Sequence, residues 1–157
     1  MKTIAGLHVH EIVQTYSDTL IRIAVQQTKN MSEAEDIVQE VYMTLMRQKK
    51  PFESKQHLKA WLIKVTFNKC RDYFRSSRVK KTIPITEEMN FIAKEEQIVL
   101  PEIFQLDEKE RAIVYLHYYE GYTTAEIANL LEMNVNTVSS KLRRVRTKLK
   151  TILEEGS

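Results

Sequence analysis

Three glycines and three prolines are spread over 157 residues, and this scarcity constrains the fold more than any other feature. A sheet of many strands needs a turn signal about every 8–12 residues, and far too few breakers are present to supply them. Long helices with short connections need few. The apolar residues, 43% of the chain, recur at helical spacing, as in Ile12, Tyr16, Leu20 and Ile23. The expected fold class is all-α, in one medium domain or two small ones, since the apolar content suffices for either.

The periodicity divides the chain. One or two helices are expected between about His8 and Lys29, and Ser32 with Glu35 has the form of a capping box opening a helix from about Glu33 to Gln48. A polar loop from Lys49 to Gln56 precedes another helix, with Leu58, Leu62 and Val65 on its buried stripe, reaching about Arg78. From Val79 to Pro101 the periodicity fades into an acidic, polar stretch bracketed by Pro84 and Pro101, with Glu87, Glu88, Glu95 and Glu96. The expected organisation is therefore two small helical domains, 1–79 and 105–157, joined by a flexible linker, 80–104.

The second domain carries the strongest local signal. Asp107 and Glu110 form one cap pair, Gly121 ends that helix, and Thr123 and Glu126 cap a short helix (TTAEIANLL). A tight turn from Glu132 to Asn134 leads into a longer helix opening at Val135 with Asn134 as its cap. This is helix-turn-helix patterning. In the last helix Val135, Val138, Leu142, Val145 and Leu149 mark a buried face, and Thr137, Ser140, Lys141, Arg144 and Lys148 fall opposite. The net charge is only +3, but Lys141, Arg143, Arg144, Arg146, Lys148 and Lys150 follow one another with no acid before Glu154. A helix meant only for solubility usually interleaves acids. A concentrated positive field beside small hydrogen-bonding side chains suits a DNA major groove instead.

Other chemistries find no footing. His8, His10, His57 and His117 are scattered and the one cysteine is Cys70, so no metal-ligand spacing exists and neither metal nor cofactor is expected. Di-metal helical bundles use a glutamate three residues before a histidine, and the acidic segment Glu33–Glu40 has no histidine. No nucleophile triad, glycine-rich phosphate loop or catalytic carboxylate pair presents itself, so neither an enzyme nor a small-molecule substrate is expected. A lone cysteine and a start without a long apolar run point to a reducing cytoplasm. Trp61 reads as a core anchor of the first domain, and Tyr115, Tyr118, Tyr119 and Tyr122 as packing for the second.

Three blocks carry a family resemblance. AEDIVQEVYMTLMR (Ala34 to Arg47) resembles the polymerase-binding helix in region two of sigma-70 family proteins, and AWLIKVTFNKCRDYFRSSR (Ala60 to Arg78) resembles the adjoining helix. LDEKERAIVYLHYYEGYTTAEIANLLEMNVNTVSSKLRRVRTKL resembles region four. With only regions two and four and a short linker, the layout is similar to that of the compact extracytoplasmic-function group. Two positions depart from the family pattern: Glu132 stands where glycine is common, and Ser139 where a basic residue is frequent.

The resemblance implies an alternative sigma factor that directs core RNA polymerase to particular promoters. Asp36, Gln39, Glu40 and Met43 would form the polymerase-binding face toward the β′ clamp, with the β flap engaging the second domain. Lys64, Asn68, Arg71, Tyr73, Phe74, Arg75 and Arg78, with the Lys49–Lys59 loop, would read and open the minus-ten element, aromatics stacking on unpaired bases while cations neutralise phosphate. Asn136, Thr137, Ser139, Ser140, Lys141, Arg143, Arg144, Arg146 and Lys148 would meet the minus-thirty-five element. It further implies an anti-sigma partner, often membrane-anchored, holding the protein at the inner face of the membrane. Periodicity and charge alone leave open a stand-alone helix-turn-helix regulator that binds an operator as a dimer, and more distantly a nucleic-acid enzyme.

Overall fold

The computed structural model describes residues 3–76 and 101–155. The chain divides into two compact units, Met1–Thr82 and Ile83–Ser157. Arg78 and nearly all of the acidic stretch from Val79 to Pro101 lie outside the described residues.

The first unit opens on a feature that helical periodicity does not reveal. Strands β1 (Thr3–Ile4) and β2 (Leu7–His8) pair antiparallel through Ala5 and Gly6, both at positive φ (52° and 81°). Two successive left-handed residues make the turn that matches strand twist in a tight hairpin. Helix α1 (Val9–Thr28) follows at once, with the Glu11 carboxylate accepting from the His8 N–H at 3.1 Å. It ends where Lys29 turns left-handed and donates its N–H to Val25 O at 2.7 Å.

Helix α2 (Met31–Arg47) is capped by Asn30, whose side chain accepts from the Glu33 N–H at 3.1 Å. The expected Ser32 cap is thus corrected: Asn30 is already extended and offers its oxygen two residues earlier, so Ser32 falls within the first turn. Helix α3 (Lys55–Ser76) packs with α2 against α1. Ile12, Leu20, Ile23, Val41, Leu45, Leu58, Leu62 and Ile63 form the closed core between them. The Ser17 and Tyr42 hydroxyls, 2.7 Å apart, link α1 to α2. Cys70 is buried within this core, and burial pushes its thiol up to about 12, so it stays protonated and inert.

In the second unit the described residues open on a 3-10 turn, Pro101–Gln105, that places Ile103 and Phe104 in the core beside Leu106. The packed residues of this unit thus include two that precede residue 105. Helix α4 (Glu108–Val114) has the expected Asp107–Glu110 capping box and runs into a π-helical turn, Tyr115–Tyr119. Gly121, at φ 76°, ends the run, and the Tyr122 N–H reaches back to Leu116 O at 2.9 Å. Helix α5 (Thr124–Leu131) starts on the Thr123–Glu126 box, and α6 (Val135–Glu155) on Asn134, whose side chain accepts from the Asn136 N–H at 2.8 Å.

Between α5 and α6, Glu132 adopts φ 56° and ψ 47°, the left-handed conformation that glycine adopts without cost. A side chain there costs about 1 kcal/mol. Glu132→Gly is therefore expected to raise the urea midpoint of the second unit by an amount equivalent to about 1 kcal/mol, and an unchanged or lowered midpoint contradicts this assignment of strain.

Candidate polymerase and nucleic-acid interfaces

Three surfaces carry the described candidate site residues, two on the first unit and one on the second. On α2 the core-facing stripe is Ala34, Ile37, Val38, Val41 and Leu45. The 3.6-residue turn then leaves Asp36, Gln39, Glu40 and Met43 together on the outer face. All four are exposed, and the Asp36 and Glu40 carboxylates have no side-chain partner among the described residues. Met43 at 57% and Met46 at 45% exposure extend this face. An apolar, deformable pair beside unpaired carboxylates is what a protein partner's basic surface would engage. Sequence reasoning missed Met46, which lies one turn along from Met43 on the same side.

On α3 the candidate promoter-opening residues are only partly exposed. Lys64, Asn68, Arg71, Tyr73 and Phe74 are half-buried, and Arg75 is exposed. The Asn68 side-chain oxygen accepts from Arg71 Nη2 at 2.9 Å, which fixes both. Tyr73 and Phe74 meet edge to face at 5.3 Å. Partial burial and the Glu33 carboxylate raise the Tyr73 phenol pKa, keeping it neutral.

Ahead of α3, Ser54 accepts from the His57 N–H at 3.0 Å, and His57 Nδ1 accepts from the Glu53 N–H at 3.1 Å. Phe52 packs edge-on against His57 and Trp61, at 5.2 and 5.5 Å. Trp61 is only half-buried. The expected core anchor instead buttresses the 49–54 loop, because the wide indole sits at the rim of α3 against Phe52.

On α6 the buried stripe is Val138, Leu142 and Val145. Val135, expected on that stripe, is 40% exposed because as the first residue of the helix it projects past the end of α5. Asn136, Thr137, Ser140, Arg143 and Arg144 are exposed, Ser139 and Lys141 half-exposed. None of the cations Lys141, Arg143 and Arg144 is neutralised within the described residues.

Arg146 and Lys148 lie on opposite flanks of the buried stripe, and each is tied to the preceding helical run. Arg146 Nε donates to the Tyr118 hydroxyl at 2.6 Å. Lys148 Nζ pairs at 2.7 Å with the Glu110 carboxylate, which is 7% exposed. Tyr118 and Tyr119 are exposed where core packing was expected, because the wider π-helical turn delays the return of the chain to the buried face. Tyr115 alone of the neighbouring tyrosines is fully enclosed.

Among the described residues no group of three or more histidine, cysteine, aspartate or glutamate side chains could hold a metal ion. No described helix is long and apolar enough to cross a membrane.

The family model for sigma-70 region 2 matches residues 12–79, and that for sigma-70 region 4 matches residues 103–149. The chain belongs to the sigma-70 family. Its relatives place this sigma factor in the extracytoplasmic-function group. It is 28% identical to the ECF RNA polymerase sigma factor SigL of Mycobacterium tuberculosis over 152 residues, covering 89% of this chain and 85% of the relative. It is 26% identical to the ECF RNA polymerase sigma factor SigW of Bacillus subtilis over 165 residues, covering 92% and 88%.

Two solved structures share the fold. One is the sigma factor RpoE in complex with the anti-sigma factor NepR from Bartonella quintana (TM-score 0.69, 18% identity, 92% of this chain and 96% of that one). The other is CnrH in complex with the cytosolic domain of CnrY (TM-score 0.64, 23% identity, 95% and 89%). The protein is accordingly an alternative RNA polymerase sigma factor, from a family that is not enzymatic in general.

Proposed function

We propose that the two regions of this sigma factor divide promoter recognition between them. The observation that carries the reading is the pair of unpaired surfaces of opposite sign, acidic on α2 and basic on α6, within the two matched regions. Domain 1–79 docks on core polymerase through Asp36, Gln39, Glu40 and Met43, and α3 with the 49–54 loop before it opens the minus-ten element. Domain 105–157 fixes register on upstream duplex through α6, while 80–104 connects the two. The chain itself catalyses nothing: strand opening draws on stacking and phosphate contacts.

The protein works in the cytoplasm, where core polymerase is. An anti-sigma factor, anchored at the inner membrane face, covers the docking surfaces until a signal arrives. Support for such a partner comes from the fold relatives above, one solved in complex with an anti-sigma factor and the other in complex with the cytosolic domain of CnrY.

On the first domain, Tyr73→Ala or Phe74→Ala is expected to slow open-complex formation more than initial promoter binding. A base stacked on an aromatic ring contributes about 1–3 kcal/mol, and only once it is unpaired. Permanganate footprinting reads the opened thymines directly. Wild-type opening by both variants would assign strand separation to the 49–54 loop instead.

On the second domain, Arg144→Ala is expected to cost about 1–3 kcal/mol at the cognate minus-thirty-five element and to relax base preference there. Competition binding against single-base variants of that element reads both effects. No change in either would re-phase the groove face of α6 around Ser139 and Arg143.

A further inference from the structure

One flank of α6 is built with a neighbour that neither the helix-turn-helix nor the core requires. Tyr118 stands 52% exposed on the π-helical turn, its hydroxyl accepting from Arg146 Nε at 2.6 Å and its ring centroid 5.9 Å from the guanidinium carbon. The ring is itself held. His117 packs edge-on against it at 4.8 Å, and His117 Nδ1 lies 3.0 Å from the Tyr122 carbonyl, which can only accept, so the nitrogen donates and the imidazole is fixed. Behind this shelf Tyr119 stacks on Tyr115 at 5.7 Å.

The consequence for Arg146 lies in which of its donors is used. The Nε–H is committed to Tyr118, while the two terminal amino groups have no protein partner and no carboxylate neutralises them among the described residues. An arginine gripped by its inner nitrogen presents its outer donors in one orientation, already arranged for the oxygens of a phosphate. Arg146 shares its flank of α6 with Arg143 and Lys150, both exposed, so the fork sits in a local positive field. The opposite flank is built differently, because Lys148 there is spent on the Glu110 carboxylate.

We infer that Tyr118 is a positioning residue for DNA binding: it pre-orients Arg146 to grip a backbone phosphate beside the groove that α6 enters, extending the DNA-binding surface onto the π-helical turn. The inference rests on the proposed DNA-binding role of α6. Phosphodiester is the ligand the chemistry selects, since two outward donors on a cation, hedged by an aromatic hydroxyl and further cations, match an oxyanion and repel a basic peptide.

The test uses the full chain and a short duplex of mixed sequence, because a phosphate contact does not depend on the base. Anisotropy titrations at several salt concentrations compare wild type, Tyr118→Phe, Arg146→Ala and the double variant, with thermal unfolding measured in parallel. Arg146→Ala is expected to lower the salt slope by about one. Tyr118→Phe, which keeps the ring and removes the acceptor, is expected to weaken binding roughly threefold to tenfold without lowering the unfolding midpoint. The double variant is expected to bind like Arg146→Ala alone, since the hydroxyl acts only through that side chain.

Wild-type affinity in Tyr118→Phe, or losses that add in the double variant, would overturn the inference while leaving the role of α6 standing. A wild-type chain with no salt-dependent duplex binding would remove that role, and the inference with it. Unchanged duplex affinity together with weakened capture of core polymerase would assign the aromatic shelf to a protein partner and overturn the phosphate reading.

Discussion

Replacing Asp36 and Glu40 together by alanine is expected to weaken binding to core polymerase by about 2–5 kcal/mol while leaving helix content unchanged. The two halves of this expectation have separate physical origins. Both carboxylates are exposed on α2 and have no side-chain partner among the described residues, so their loss removes nothing that holds α2 to α1 or α3. At a docked interface the same carboxylates would be desolvated against cations of the partner, and truncation would then strand those cations. Met43 and Met46 beside them supply the apolar area that excludes water and strengthens such contacts. Titration of core polymerase with labelled protein measures the loss, and far-UV circular dichroism checks the fold. Unaltered affinity removes this face of α2 from the interface.

Arg111→Ala is expected to destabilise the second unit by about 3–5 kcal/mol, a large share of a small domain's total stability. The guanidinium is buried at 4% exposure and donates through Nη1 to the Leu106 carbonyl. Burial lowers the Arg111 pKa, and the carboxylates of Glu108, Asp107 and Glu110 oppose that shift and hold the cation in place. Truncation leaves the Leu106 carbonyl without its donor and opens a void at the start of α4. It also takes a compensating cation from Glu110, a buried carboxylate left with Lys148 and the Asp107 N–H. Because α4 and the 3-10 turn brace α6 from behind, duplex binding is expected to fall with stability, which ligand-free urea unfolding and anisotropy would follow in parallel. A loss of stability below about 1 kcal/mol would mean that the buried charge is compensated elsewhere.

The parts of this fold legible in the sequence were those specified by local chemistry. The Asp107–Glu110 and Thr123–Glu126 pairs announce themselves because each cap is a short-range exchange of hydrogen bonds, and Asn134 likewise marks the start of α6. The stripe of Val138, Leu142 and Val145 follows from period alone. What stayed hidden depends on choices between local alternatives or on distant partners. Asn30 and Ser32 are both good caps, and the left-handed break at Lys29 decides for Asn30. The Ala5–Gly6 hairpin lies in a segment too short for periodicity to register.

Tyr118 and Tyr119 reach the surface through a π-helical turn that no residue pattern signals, since it differs from an α turn by a single residue. The exposed candidates on α2 and α6 were legible as faces, whereas the engagement of Arg146 and Lys148 was not. Their partners Tyr118 and Glu110 lie 28 and 38 residues away in the chain.

As a sigma factor, this chain confers promoter specificity on core polymerase. Run-off transcription with purified core enzyme and genomic fragments, with and without the protein, reads that activity. Discrete transcripts that appear only when the protein is present, and that are lost in the Asp36→Ala, Glu40→Ala variant, are the predicted result. Binding to palindromic duplex as a dimer, with core transcription unchanged in every fragment, would contradict it and assign the chain to a stand-alone helix-turn-helix regulator.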